Sequence, residues 1–97
     1  MPTHSEAPSF WRDWQTLSHE QRLAFLAAVS KMKDDLKAKS AFRKSLRIKG
    51  IQKFSGIFEM TWADDVRATF SYGISQLPGE AHIIWRRVGF HDIFRNP

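Results

Sequence analysis

Apolar residues recur at three- and four-residue steps in the first part of the chain and at two-residue steps after about residue 46. The first spacing keeps one side of a helix apolar, and the second does the same for one face of a strand. Residues 1–8 are polar with two prolines and predict a loose leader. Phe10-Trp11-Arg12-Asp13-Trp14 is too short for periodicity to choose between a strand and a helical turn, but its tryptophans are expected to pack on the next element of the chain. Ser18-His19-Glu20-Gln21 reads as a capping box, in which the serine hydroxyl takes a free backbone N–H and Gln21 reaches back. Behind it Phe25, Leu26, Val29, Met32 and Leu36 form one stripe, and Lys31, Lys33, Lys37 and Lys39 suit the negative end of the helix dipole. A break is expected near Ser40, with a short turn through Arg43.

Strands come next. Leu46–Ile51 alternates, with Leu46 and Ile48 on one side and Arg47 and Lys49 on the other. After a turn at Lys53–Gly56, Ile57–Trp62 places Phe58, Met60 and Trp62 on one face. Ala63-Asp64-Asp65 predicts a hairpin into Arg67–Tyr72, whose Ala68, Phe70 and Tyr72 face the core while Arg67, Thr69 and Ser71 face away. Gln76–Glu80 holds a Pro-Gly turn, and a last strand runs from about Ala81 to Val88. Short loops require antiparallel neighbours. The pattern predicts an α+β domain with N-terminal helix or helices on one face of a four-stranded, mainly antiparallel sheet, one domain over 1–97.

Composition narrows the class. No cysteine is present, which excludes disulfides, thiolate metal sites and cysteine nucleophiles. The N-terminus lacks the basic and apolar regions of a signal peptide, and no apolar run approaches the roughly 18 residues of a membrane span. A soluble cytoplasmic protein is expected. The net charge is +5, and it is concentrated: residues 31–53 carry nine Lys and Arg against two Asp. Such clustering favours a polyanion, either nucleic acid or an acidic protein segment.

The outer sheet face should then display Arg47, Lys49 and Arg67, joined by one of Arg86 and Arg87 according to strand parity. Like charges on neighbouring strands repel unless a ligand neutralises them, so phosphate binding is the expectation. Metal-free RNA cleavage needs a base for the 2′-hydroxyl, an acid for the leaving 5′-oxygen and cations for the phosphorane. Arg67, Arg86 or Arg87, and His91 could supply that set, with His82 in reserve and Phe94 able to stack a base. His82 and His91 stand nine positions apart without HExxH or paired carboxylates, so no metal site is expected, and no phosphate-cradling glycine loop precedes a helix.

The succession of a helix, LRIKGIQ, IFEMTW, RATFSYG, HIIWRRVG and HDIF resembles the RelE/ParE superfamily of bacterial toxins from about Phe10 to the C-terminus. The RATF strand and the terminal VGFHDIF are the most specific pieces; the latter is similar to the VG-x-(H/R) ending of the ribonuclease branch. The resemblance implies a microbial-ribonuclease-like sheet, cleavage of mRNA on the ribosome with arrest of translation, and an antitoxin partner; no cofactor is expected, and the unbalanced basic face implies that the partner carries an acidic segment. It implies Arg67 as the phosphate-holding arginine, His91 as acid/base and Phe94 as the C-terminal aromatic. With Arg87 added, the catalytic set is His91, Arg67 and Arg87; Arg47, Lys49, Arg86, His82 and Phe94 are the RNA-binding candidates. Some relatives carry a tyrosine after the last strand, and this chain has none there. The rival expectations are the gyrase-inhibiting branch of the same fold and a non-enzymatic basic binding module.

Overall fold

A computed structural model describes residues 2–63 and 65–97. The elements are β1 (Thr3–Glu6), α1 (Pro8–Trp14), α2 (His19–Lys37), β2 (Lys49–Gly50), β3 (Ile57–Ala63), β4 (Val66–Tyr72) and β5 (His82–Gly89). Short 3-10 turns occupy Lys44–Leu46 and His91–Arg95. The sheet order is β1-β5-β4-β3-β2, with β1 parallel to β5 and every other pair antiparallel. The α+β class holds, but the sheet has five strands and mixed direction rather than four. The hairpin placed at Ala63-Asp64-Asp65 includes Asp64, which lies outside the described residues; Ala63 pairs with Val66 across it. Among the described residues no helix is long and apolar enough to cross a membrane.

The extra strand is the leader. Thr3–Glu6 has no apolar alternation to announce it, because backbone bonds hold it in place: Thr3 N–H donates to Ala81 O at 3.0 Å and Ala7 N–H to Trp85 O at 2.9 Å. The expected strand Leu46–Ile51 is largely absent. Arg47 adopts a left-handed backbone with φ 50°, which breaks the two-residue alternation and leaves only Lys49–Gly50 to pair with β3. The capping box forms as expected. Gln21 N–H donates to Ser18 Oγ at 3.1 Å, and Ser18 N–H to Gln21 Oε1 at 2.8 Å. The FWRDW segment is helical, opened by Pro8.

Helix α2 covers one sheet face, the core face. Phe25 lies edge-on to Trp62 and Trp85, with ring centroids 5.3 and 5.1 Å away, and Phe70 is fully buried beneath Trp85 and Phe58. Two expected core residues are exposed. Leu26 is 54% exposed, since Ala28 takes the buried position beside Phe25 and Met32, and Tyr72 is 46% exposed at the end of its strand.

Two charge pairs fasten the helices. Asp13 on α1 accepts from Arg87 Nε at 2.6 Å, Arg87 Nη2 at 3.1 Å and Val88 N–H at 3.2 Å, so α1 is docked on β5. Asp13→Ala leaves a half-buried guanidinium and a backbone N–H without their acceptor. It should cost about 1.5–3 kcal/mol, read as a lower urea midpoint at unchanged m-value. At the other end, Asp35 accepts from the Arg43 side chain at 2.9 and 3.0 Å and from Arg43 N–H at 3.0 Å. Those side-chain bonds, then the backbone bond, hold the Asp35 carboxyl below its ordinary value. A carboxyl with a depressed folded-state pKa contributes stability above its unfolded pKa and loses it as pH falls through the folded value. Thermal melts of Asp35→Asn should therefore lie below wild type at pH 7 and converge on it as pH drops below the usual carboxylate range.

Candidate functional site

The sheet face opposite α2 collects the polar side chains. Strand register sets Lys49 beside Glu59, Glu59 beside Thr69 and Thr69 beside Arg87, while a second row runs Thr61, Arg67, Gly89. A hollow of ≈ 360 Å³ opens here, lined by Arg47, Ile48, Lys49, Glu59, Thr61 and Arg67. Lys49 Nζ lies 3.7 Å from Glu59 Oε1. Arg67 Nη1 donates to Val66 O at 3.3 Å and more weakly to Ala63 O at 3.5 Å, so its guanidinium is held near the β3–β4 turn. The left-handed backbone at Arg47 carries that residue to the rim of the same hollow. Three candidates from the sequence, Arg47, Lys49 and Arg67, thus come together.

Glu59 is the residue that sequence reasoning missed. The face was expected to carry only cations, yet this carboxylate sits among them with its side chain 14% exposed. The signal was present, because a strand with Phe58, Met60 and Trp62 inside must turn Glu59 and Thr61 outward. Glu59 adds a carboxylate to a hollow otherwise lined by cationic, apolar and hydroxyl side chains.

His91 lies just past the end of β5. Gly89 pairs with Arg67, and two residues later His91 opens the C-terminal 3-10 turn, which packs on β4 and β5. A Cβ on Gly89 would lie 3.1 Å from Ile93 Cγ2, so the bare glycine allows the buried Ile93 to settle close and turn the chain back. His91 is exposed and meets the Phe94 ring edge-on at 5.2 Å. Neither ring lines the hollow.

The remaining candidates lie elsewhere. His82 stands near the opposite end of β5, where Nδ1 pairs with Thr3 Oγ1 at 2.7 Å and Nε2 with Ser5 Oγ at 3.2 Å, so it ties β1 to the sheet. For Arg86 and Arg87 the expected choice by parity does not arise. β5 bulges there, with Thr69 opposite Arg87 and Phe70 opposite Trp85, and both arginines line a second hollow on the outer face. The Arg87 guanidinium is engaged by Asp13 and by Asn96 O at 3.0 Å; the bonds to Asp13 raise its pKa above the ordinary value. Arg86 Nε donates to Pro97 O at 3.3 Å.

No protein-family model matches the chain, and no characterised protein matches it by sequence. Solved structures do match in shape over nearly the whole chain. A chain of the E. coli DinJ–YafQ toxin–antitoxin complex superposes with a TM-score of 0.62 at 10% identity, covering 94% of this chain and 93% of that one. The RelB–RelE antitoxin–toxin complex from Methanococcus jannaschii gives 0.62 at 15% identity, with 94% of each chain covered. A YoeB/ParE toxin from Agrobacterium tumefaciens gives 0.56 at 13% identity, over 92% of this chain and 98% of that one. The chain shares the fold of these toxin structures. At these identities the likeness is one of architecture, and the site must be argued from its own side chains.

Proposed function

We propose that the chain is the toxin of a toxin–antitoxin pair and an endoribonuclease that cleaves mRNA on the ribosome, in the cytoplasm, without a metal ion. One observation carries this reading: Arg67 and Lys49 share a hollow with Glu59, and His91 leads off the strand position paired with Arg67. Glu59 takes the proton of a 2′-hydroxyl, and the freed oxygen attacks the adjacent phosphorus. The bond to the leaving 5′-oxygen breaks as His91 donates a proton to it, giving a 2′,3′-cyclic phosphate and a 5′-hydroxyl. Arg67 meets the charge that builds on the phosphorane, with Arg47 and Lys49 on the flanking phosphates. Phe94 keeps the His91 ring in place.

The fold relatives occur in complexes with DinJ and RelB, each an antitoxin partner. By that analogy an acidic antitoxin segment would lie across Arg47, Lys49 and Arg67 and compete with RNA for the same cations. Its affinity should fall as salt rises; an affinity indifferent to salt would count against this placement.

The test is a cell-free bacterial translation reaction with mRNA ends mapped by primer extension. New ends within translated codons, absent with Glu59→Gln and His91→Ala, support the nuclease. Intact mRNA together with inhibited DNA supercoiling would move the protein to the gyrase-inhibiting branch, and intact mRNA with neither effect would leave a binding module.

A further inference from the structure

The second hollow on the outer face is larger than the first, ≈ 570 Å³ against ≈ 360 Å³. We infer that it is a nucleotide subsite, in which Arg12 and Arg86 hold a phosphate and Phe54 stacks the base of the strand whose scissile bond lies in the Arg67 hollow. This rests on the ribonuclease reading and adds a second point of contact for the RNA.

Four features of the chain support it. The bulge in β5 sends Arg86 to the same side as Arg87, whereas a regular strand would alternate them, and a bulge is a common device for re-aiming a side chain near a site. Arg87 is matched by Asp13, but Arg12 and Arg86 have no Asp or Glu partner among the described residues; Arg86 Nε donates to Pro97 O at 3.3 Å. Their charge is available to an anion. Phe54 and Ile57 give the hollow an apolar wall, and Ser9 and Asn96 add polar atoms at its edge. Guanidinium groups beside an aromatic face suit a phosphate joined to a base; an acidic peptide would use the cations and leave the ring idle. Lastly, both hollows open on one face. From the Thr61–Arg67–Gly89 row to the Ile57–Ser71–Ile84 row is four residues along β4, about 13 Å, a distance that a strand of a few nucleotides spans.

The test measures binding of 2′-O-methyl oligonucleotides, which cannot be cleaved, by fluorescence anisotropy at fixed salt. Arg12→Glu removes an exposed cation, and Phe54→Leu removes the ring but keeps an apolar side chain. Each should weaken a six-nucleotide strand about tenfold. A two-nucleotide strand, which fills only the Arg67 hollow, should bind all three proteins alike. Equal affinity of wild type and both variants for the six-nucleotide strand overturns the subsite, even if cleavage is established. Equal weakening of both strand lengths also overturns it, since the variants would then act on the whole face. Competition by a hexaglutamate peptide that is lost with Arg12→Glu but unaffected by Phe54→Leu, with RNA unaffected by either, would assign the hollow to an acidic protein. If wild type binds neither strand, the ribonuclease reading fails with it. Failure confined to the six-nucleotide comparison removes the subsite alone.

Discussion

Replacing His91 by alanine is expected to lower the rate of RNA cleavage by about 10²–10⁴-fold, the usual loss when a positioned general acid is removed. The fold should survive, because His91 is exposed and its ring meets only the edge of Phe94. Wild-type and variant melting temperatures should therefore agree while single-turnover rates diverge. The position also makes a structural role separable. Ile93, not His91, is the buried residue of the C-terminal turn, packed close to Gly89. Phe94→Ala should consequently slow cleavage by less than His91→Ala, since it frees the imidazole without deleting it. Equal rates in wild type and His91→Ala would remove the proton donor from the mechanism and leave the hollow as a binding site only.

Arg67→Ala is expected to cost about 10²–10³-fold in kcat with a smaller change in KM, because charge on the phosphorane is greatest in the transition state. Its guanidinium also donates to the Ala63 and Val66 carbonyls, so alanine will loosen the β3–β4 turn as well. Arg67→Lys separates the two effects. Lysine keeps the positive charge but not the planar fork that meets two phosphate oxygens, and should recover only part of the rate. Full recovery by lysine would show that Arg67 acts as a point charge. A loss that falls wholly on KM would place it in ground-state binding.

Much of the fold could be read from the chain because its strongest signals are local. The Ser18–Gln21 box lies within four residues and forms as expected. β3 and β4 alternate cleanly enough to fix which face is buried, and that same alternation carried Arg67 to the outer face. What escaped was set by distant partners. β1 is polar and is a strand only because β5 offers it an edge. The bulge at Arg86 leaves no mark in an apolar-polar pattern, yet it decides that both arginines share a face. Arg47 is in a left-handed conformation more often given to glycine or asparagine, so nothing in LRIKGI marks the break in that strand. Arg87 was legible as a cation near the site, but Asp13, 74 positions away in sequence, claims its side chain.

The site was legible as a set of charges and not as a mechanism. A count of cations singles out Arg47, Lys49 and Arg67 and passes over Glu59, one carboxylate in the same alternation. With it, the proposed mechanism has a carboxylate for the base beside the His91 imidazole for the acid, and one histidine need not play both parts.

The most direct measurement is the chemistry of the cut ends. Fragments released from mRNA by the purified protein in a translation reaction would be examined by mass spectrometry. The expected result is a 2′,3′-cyclic phosphate or its 3′-phosphate hydrolysis product, paired with a 5′-hydroxyl, and neither product with Glu59→Gln. Ends bearing 3′-hydroxyl and 5′-phosphate would contradict attack by the 2′-oxygen, and with it the roles given to Glu59 and His91.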